Sequence, residues 1–167
     1  MTTTQNKILG HDEIQHKIKR IAYQIYETFV EEDEIVIAGI ANGGLEFARK
    51  IQHTFNDIAD IKTTLCEVKI DKQNLLAPIS TSLDKSAYEN KALVLADDVL
   101  NTGGTLIYGV KHFLEVPLKK FKTVVLVDRN HKKYPIKADF KGISLSTSLQ
   151  EHVEVLFKEG DDAVCLH

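Results

Sequence analysis

Residues 92–106, Ala-Leu-Val-Leu-Ala-Asp-Asp-Val-Leu-Asn-Thr-Gly-Gly-Thr-Leu, constrain this chain more than any other stretch. Five apolar residues open it, a run too short for a helix and suited to a strand buried on both faces of a parallel sheet. Two adjacent carboxylates follow, Asp97 and Asp98, and then Thr-Gly-Gly-Thr. From Leu106 the spacing turns helical, with Leu106, Val110, Phe113 and Leu114 on one face. The order is strand, loop, helix.

Such a loop does particular chemistry. Gly103 and Gly104 permit positive φ and carry no Cβ, so successive backbone N–H groups can converge on one anion. The helix that follows adds its positive end, and Thr102 and Thr105 add hydroxyl donors. That describes a cradle for a phosphate monoester. The two aspartates cannot serve the same phosphate, because like charges repel. They suit vicinal hydroxyls, which donate to carboxylates. Phosphate and diol together describe a ribose 5-phosphate. The loop is not a Walker loop, since no Lys-Ser/Thr follows the glycines.

The rest of the chain repeats the theme. Asp12 and Gln15 have capping-box spacing, and Ile14, Ile18, Ile21, Ala22, Ile25 and Phe29 predict a helix over 12–29. Residues 1–10 are mostly polar and read as frayed apart from Ile8 and Leu9. A strand is expected over 34–40, followed by Ala41-Asn42-Gly43-Gly44 and a helix through Leu45, Phe47, Ala48 and Ile51, a second candidate anion loop. Strands are also expected over 63–70 and 122–127, the latter ending in Asp128-Arg129-Asn130-His131. Between them, 71–90 is polar and irregular, long enough to be a functional or mobile loop. The tail reads as a hairpin, with Val153, Val155 and Phe157 alternating, a turn over 158–162 and a return over 163–166.

Composition sets the outer bounds. The 167 residues fit one domain, 1–167, with a substantial core. A net charge of -3 argues against a generic polyanion binder, so nucleic-acid binding would need a local patch. Cys66 and Cys165 lack metal-type spacing and favour free thiols in a reducing compartment. The histidines show no ligand spacing, and His112 reads as structural or exposed. With no leader-like segment and no apolar run of membrane length, a cytoplasmic protein without membrane contact is expected.

The central stretch resembles the PRPP-binding motif of type I phosphoribosyltransferases. The resemblance implies an α/β fold: one doubly wound, mainly parallel sheet flanked by helices, with a C-terminal β-hairpin. It implies that Asp97 and Asp98 are the catalytic acids, holding the ribose hydroxyls of 5-phosphoribosyl-1-pyrophosphate (PRPP). Asn101, Thr102, Gly103, Gly104 and Thr105 then take the 5-phosphate. Ala41, Asn42, Gly43 and Gly44 become the pyrophosphate loop, where the family often has a cis peptide, and Lys72 points towards the same group. The 71–90 loop would close over the reacting centre.

Residues 127–140, Val-Asp-Arg-Asn-His-Lys-Lys-Tyr-Pro-Ile-Lys-Ala-Asp-Phe, with Gly142 and Thr147-Ser148, look like the corresponding segment of the pyrimidine operon attenuator/uracil phosphoribosyltransferases. That resemblance spans roughly residues 8–166 and puts the base near Val127, Asp128 and Arg129. It implies transfer of phosphoribose from PRPP to a nucleobase, uracil first, releasing pyrophosphate. Mg2+ would be bound mainly through PRPP and water, with no protein metal site, and the assembly would be a homodimer or larger. The alternatives are an RNA-binding regulator of pyrimidine genes with weak or no transferase activity, and a purine-base transferase. For RNA, eight basic residues stand against three acidic ones between Glu115 and Lys141, with Tyr134 and Phe140 able to stack bases; a solvated edge or subunit interface is the blander explanation.

The chain departs from its relatives in three places. Purine-specific members usually place an aspartate where this chain has Asn101. The uracil/attenuator group carries a lysine and an arginine at Ala41 and Gly43, and an arginine at Gly104. Ile143-Ser144-Leu145-Ser146 replaces a more basic run containing proline near the presumed base pocket. A charge-assisted hydrogen bond contributes about 1.5–3 kcal/mol, so the missing cations bear on catalytic rate more than on fold.

Overall fold

The computed structural model describes residues 6–129, 131–148 and 151–167; the expectations for residues 1–5 and for Asn130 lie outside them. Buried runs become strands and amphipathic runs become helices, in the order β1 (Asn6–Leu9), α1 (His11–Thr28), β2 (Glu34–Ile40), α2 (Gly43–Ile58), β3 (Lys62–Lys69), β4 (Ser80–Thr81), α3 (Lys85–Tyr88), β5 (Ala92–Leu100), α4 (Gly104–Phe113), β6 (Lys120–Arg129), β7 (Phe140–Leu145), β8 (Val153–Leu156) and β9 (Ala163–Leu166).

Six strands form one sheet in the order β4-β3-β2-β5-β6-β7. Its pairings are parallel except for β4, which returns antiparallel against β3. A parallel strand covered on both faces must be apolar throughout, which is why β2 and β5 read as unbroken runs. On one face α1 and α2 bury Ile14, Ile18, Ile25, Phe47, Ile51 and Phe55. On the other, Tyr88, Leu106 and Phe113 of α3 and α4 pack on Leu93, Leu95 and Val125. Each such side chain contributes about 1.5–3 kcal/mol when fully buried.

The connections from β2 and β5 diverge. From β2 the chain crosses through α2 to β3 on one side; from β5 it crosses through α4 to β6 on the other. The carboxyl ends of β2 and β5 therefore flank a topological switch point, where open α/β sheets form their binding crevice. Both glycine loops lie there.

A second, three-stranded antiparallel sheet, β1-β9-β8, stands apart from the first. Its turn is anchored by Asp162, whose side chain is fully buried. Gln15 Nε2 donates to Asp162 Oδ2 at 2.7 Å, Lys50 Nζ lies 3.2 Å from the same oxygen, and the Asp162 N–H donates to His11 Nδ1 at 3.1 Å. A buried carboxylate is tolerable only when paired in this way. The small sheet is thereby fixed to α1 and α2.

Several local expectations are corrected. Helix α1 starts at His11 with Gly10 as its cap, and the Gly10 N–H donates to Glu13 Oε1 at 3.2 Å. Gln15, expected to cap with Asp12, instead reaches Asp162. Strand β5 does not stop at Ala96; it continues through both acids to Leu100, pairing Asp97 with Val125 and Leu100 with Asp128. Leu114 caps α4 and is 60% exposed, so it leaves the apolar face. The 71–90 segment is not structureless: it holds a turn closed by Gln73 N–H on Asp71 Oδ1, then β4 and α3. Cys66 and Cys165 are both buried free thiols. No described helix is long and apolar enough to cross a membrane.

Helix α2 lies unusually close to β2 because Gly39 faces it. A Cβ at Gly39 would stand 2.6 Å from both the Gly44 carbonyl oxygen and the Leu45 Cα, backbone atoms that cannot rotate away. Gly39→Ala should therefore cost about 1–3 kcal/mol by overpacking. It should lower the urea midpoint with an unchanged slope; an unaltered midpoint would contradict this close packing.

Candidate active site

At the switch point a cleft of about 260 Å³ opens. Asp97, Asp98, Asn101, Thr102, Gly103, Thr105 and Lys72 line it. Asp97 is 3% exposed and accepts a hydrogen bond from the Asp98 N–H at 2.9 Å through Oδ1. Asp98 Oδ1 accepts one from the Val99 N–H at 2.8 Å. Burial, and then the neighbouring Asp98 charge, hold the Asp97 carboxyl well above the usual carboxylate range, and Lys72 pulls it back down. Placing two acids together at a strand end creates a site that gains from a partner offering hydroxyls or positive charge.

The loop after β5 is shaped for an anion. Gly103 has φ +89° and caps α4, a conformation that disfavours any side chain. The Thr102 carbonyl, which would repel a phosphate, is turned back and accepts the N–H groups of Lys133 and Tyr134 at 2.8 and 3.1 Å. Thr102 Oγ1 accepts the Gly104 N–H at 3.2 Å. Gly104 itself lies beneath Leu75 and Tyr134; a Cβ there would stand 2.7 Å from Leu75 Cδ1. The segment after β3 therefore packs onto the loop after β5, with Leu75 as its contact.

The other glycine loop meets the acids directly. The Ala41–Asn42 peptide is cis, and the Ala41 N–H donates to the Val68 carbonyl at 2.8 Å. A Cβ at Gly43 would collide with the Asp98 carboxylate, and one at Gly44 would stand 2.9 Å from the Asp97 Cα. The loop's bare backbone thus abuts both acids. Ala41 and Asn42 border an adjoining hollow of about 410 Å³ that Lys69 shares.

Val127, Asp128 and Arg129 fall on β6 and are not among the residues that line this cleft. Val127 is in the core. Asp128 pairs with Lys132 at 3.4 Å and Lys141 at 3.6 Å. Arg129 is 7% exposed and ties several segments together. Its Nη1 donates to Asn101 Oδ1 at 3.0 Å, Nε and Nη2 donate to Thr147 Oγ1 at 3.0 and 2.8 Å, and Nη2 donates to the Glu151 carbonyl at 2.6 Å. Thr147 Oγ1 also lies 3.2 Å from His131 Nε2.

The opposite wall is His152 with Val153, Glu154 and Val155 of β8, none of which was singled out from sequence as a site residue. The alternation of Val153 and Val155 marks a strand, but nothing local says that the strand faces β5. His152 and His167 exchange both backbone hydrogen bonds, at 3.1 and 2.8 Å. In an antiparallel pair the next residues point the other way, so the backbone groups of Val153 and Val155 face away from β9. Glu154 Oε2 lies 2.9 Å from His167 Nε2.

Comparison with known proteins agrees with this architecture. The model of the phosphoribosyl transferase domain matches residues 4–158. The Bifunctional protein PyrR of Haemophilus ducreyi is 34% identical, covering 89% of this chain and 87% of its own. The Bifunctional protein PyrR of Fusobacterium nucleatum is 33% identical, covering 92% of each. Among solved structures, a hypoxanthine-guanine phosphoribosyltransferase from Bacillus anthracis has a TM-score of 0.74 at 21% identity, covering 89% of this chain and 84% of that one. The hypoxanthine phosphoribosyltransferase of Trypanosoma cruzi, in complex with the product IMP, has a TM-score of 0.77 at 19% identity, covering 92% and 85%. These two likenesses establish the fold. The mostly parallel sheet, the glycine loops at its switch point and the near-full-length similarity to PyrR proteins lead to one conclusion: this chain belongs to the phosphoribosyltransferase family.

Proposed function

We propose that the cleft transfers the 5-phosphoribosyl group of PRPP to uracil, giving the nucleoside monophosphate and pyrophosphate. The observation that carries this reading is the meeting of three parts at the switch point: paired acids and a glycine loop that line one cleft, and a second bare loop that abuts the acids from beside it. A ribose 5-phosphate spans the first two, and pyrophosphate would lie over the third. The base nitrogen forms its bond to the anomeric carbon as the carbon–oxygen bond to pyrophosphate breaks, and the proton that the nitrogen carried leaves to water or to the departing pyrophosphate. Asp97 and Asp98 stand beside the sugar as positive charge develops on it. Lys72 meets the negative leaving group.

Magnesium fits this arrangement as a ligand-borne ion. Among the described residues no group of three His, Cys, Asp or Glu could hold a metal. Two hard carboxylates beside the cleft nevertheless suit an ion that keeps most of its ligands from PRPP and water. When bound, it would neutralise charge on the leaving group. The base would lie beneath β8, whose outward backbone N–H and C=O groups offer alternating donors and acceptors.

The second reading, RNA binding, rests on exposed Lys133 and Lys137 on either side of Tyr134. It is weakened because Lys119 pairs with Glu32, Lys120 donates to the Thr28 carbonyl, Lys132 and Lys141 share Asp128, and Arg129 is internal.

Two outcomes test the leading reading. Pyrophosphate release from PRPP, followed with uracil, hypoxanthine, guanine and xanthine, should appear with uracil. Asp98→Asn should lower it by about 10²-fold while the circular dichroism spectrum stays unchanged. Release with no base, or wild-type rates in the variant, would contradict it.

The acid pair also has a stability signature. The folded pKa of Asp97 is raised. Its contribution is therefore fully present below the unfolded value, about 3.9, and is lost as pH rises through the folded value. Asp97→Asn removes that loss. The variant should melt at a higher temperature than wild type at pH 8, with the gap closing towards pH 4. A variant less stable at pH 8 would show that the acids are not in conflict.

A further inference from the structure

Arg129 is a buried cation without a counter-anion: among the described residues no carboxylate pairs with it, and its partners are a hydroxyl, carbonyls and the Asn101 amide. A guanidinium has no acceptor, so only an oxygen can face it. The Asn101 amide is thereby oriented, with Oδ1 towards Nη1 at 3.0 Å. The other end, Nδ2, keeps two N–H donors and makes no hydrogen bond to the described residues. Asn101 is exposed and lines the cleft, at the end of β5 between the acid pair and the phosphate loop. The bond from a charged donor polarises the amide and strengthens those N–H groups.

We infer that Asn101, aimed by Arg129, is the residue that selects the base, and that it selects a carbonyl oxygen beside the ring nitrogen that takes the ribose. This deepens the proposed function and rests on it. An oriented amide donor rewards an acceptor at that edge and rejects an N–H, which would leave two donors face to face. A pyrimidine carrying a 2-oxo group meets the requirement. A purine, which presents an imidazole N–H beside its reacting nitrogen, does not. Arg129 is the positioning residue, acting through Asn101 without touching the base. Thr147 and Ser148, which share the guanidinium, tie the same device to the segment leading into β8.

Calorimetry with three ligands tests this: ribose 5-phosphate, uridine 5′-monophosphate and 2-thiouridine 5′-monophosphate, in which sulfur, a weak acceptor, replaces the 2-oxo oxygen. Wild type should bind uridine monophosphate about tenfold more tightly than its 2-thio analogue. Asn101→Leu, matched in size but without donors, should shrink the affinity ratio of uridine monophosphate to ribose 5-phosphate by about fivefold to tenfold. Taking the ratio cancels damage to the phosphate loop, and thermal unfolding checks the fold. Failure of wild type to bind ribose 5-phosphate would overturn the phosphoribosyl reading itself. If ribose 5-phosphate binds but uridine monophosphate binds no tighter, if the 2-thio analogue binds equally well, or if the ratio survives in Asn101→Leu, the base-selecting role alone is overturned. Should Asn101→Leu fail to fold, the comparison of the two nucleotides on wild type decides.

Discussion

Two carboxylates forced together at one strand end are the constraint around which the molecule is arranged. Asp97 and Asp98 are adjacent because β5 continues through them, held in register by β6. Burial raises the free energy of an ionised Asp97, and Asp98 raises it further. The local answers are partial: one backbone N–H each, and Lys72 at a distance. What remains is an electrostatic deficit that the proposed sugar diol, or a cation carried with it, would relieve. The loop after β2 cannot carry side chains at its two glycines without disturbing the acids. Gly43 is bare where the Asp98 carboxylate sits, and Gly44 is bare against the Asp97 backbone.

The fold supplies this arrangement through its topology. Crossovers in opposite directions from β2 and β5 leave a gap at their carboxyl ends, and the two loops that leave those strands face each other across it. The small sheet closes the gap from above. It packs Leu9, Val153 and Val164 into the core with α1 and α2 and is tied to the same helices by the buried Asp162 with His11, Gln15 and Lys50. Because α1 and α2 provide those partners, and α2 begins at the Gly43 loop, the wall of the cleft and its floor are fixed to the same two helices.

Much of this was legible in the chain. The buried runs of β2, β5 and β6 announce themselves because a two-sided strand needs apolar residues at every position. Helix α1 shows in its 3.6-residue spacing, and the order of acids, glycines and helix after β5 announces the strand, loop and helix that line the cleft. The parts that escaped depend on distant partners. Strand β1 is four residues long and pairs with residues at the other end of the chain, Asn6 with Leu166. Strand β7 is an edge strand of mixed polarity beside β6. Strand β8 could be read as a strand but not as a cleft wall. Arg129 was placed near the base from resemblance, whereas its geometry is that of a tie between Asn101 and Thr147. No pattern within ten residues of Arg129 encodes either partner.

The most direct measurement is a crystal structure with ribose 5-phosphate bound. The phosphate should lie among the backbone amides of residues 102–105, with the ribose hydroxyls donating to Asp97 and Asp98. A sugar phosphate found elsewhere, or bound with its hydroxyls away from the acids, would contradict the account at its root.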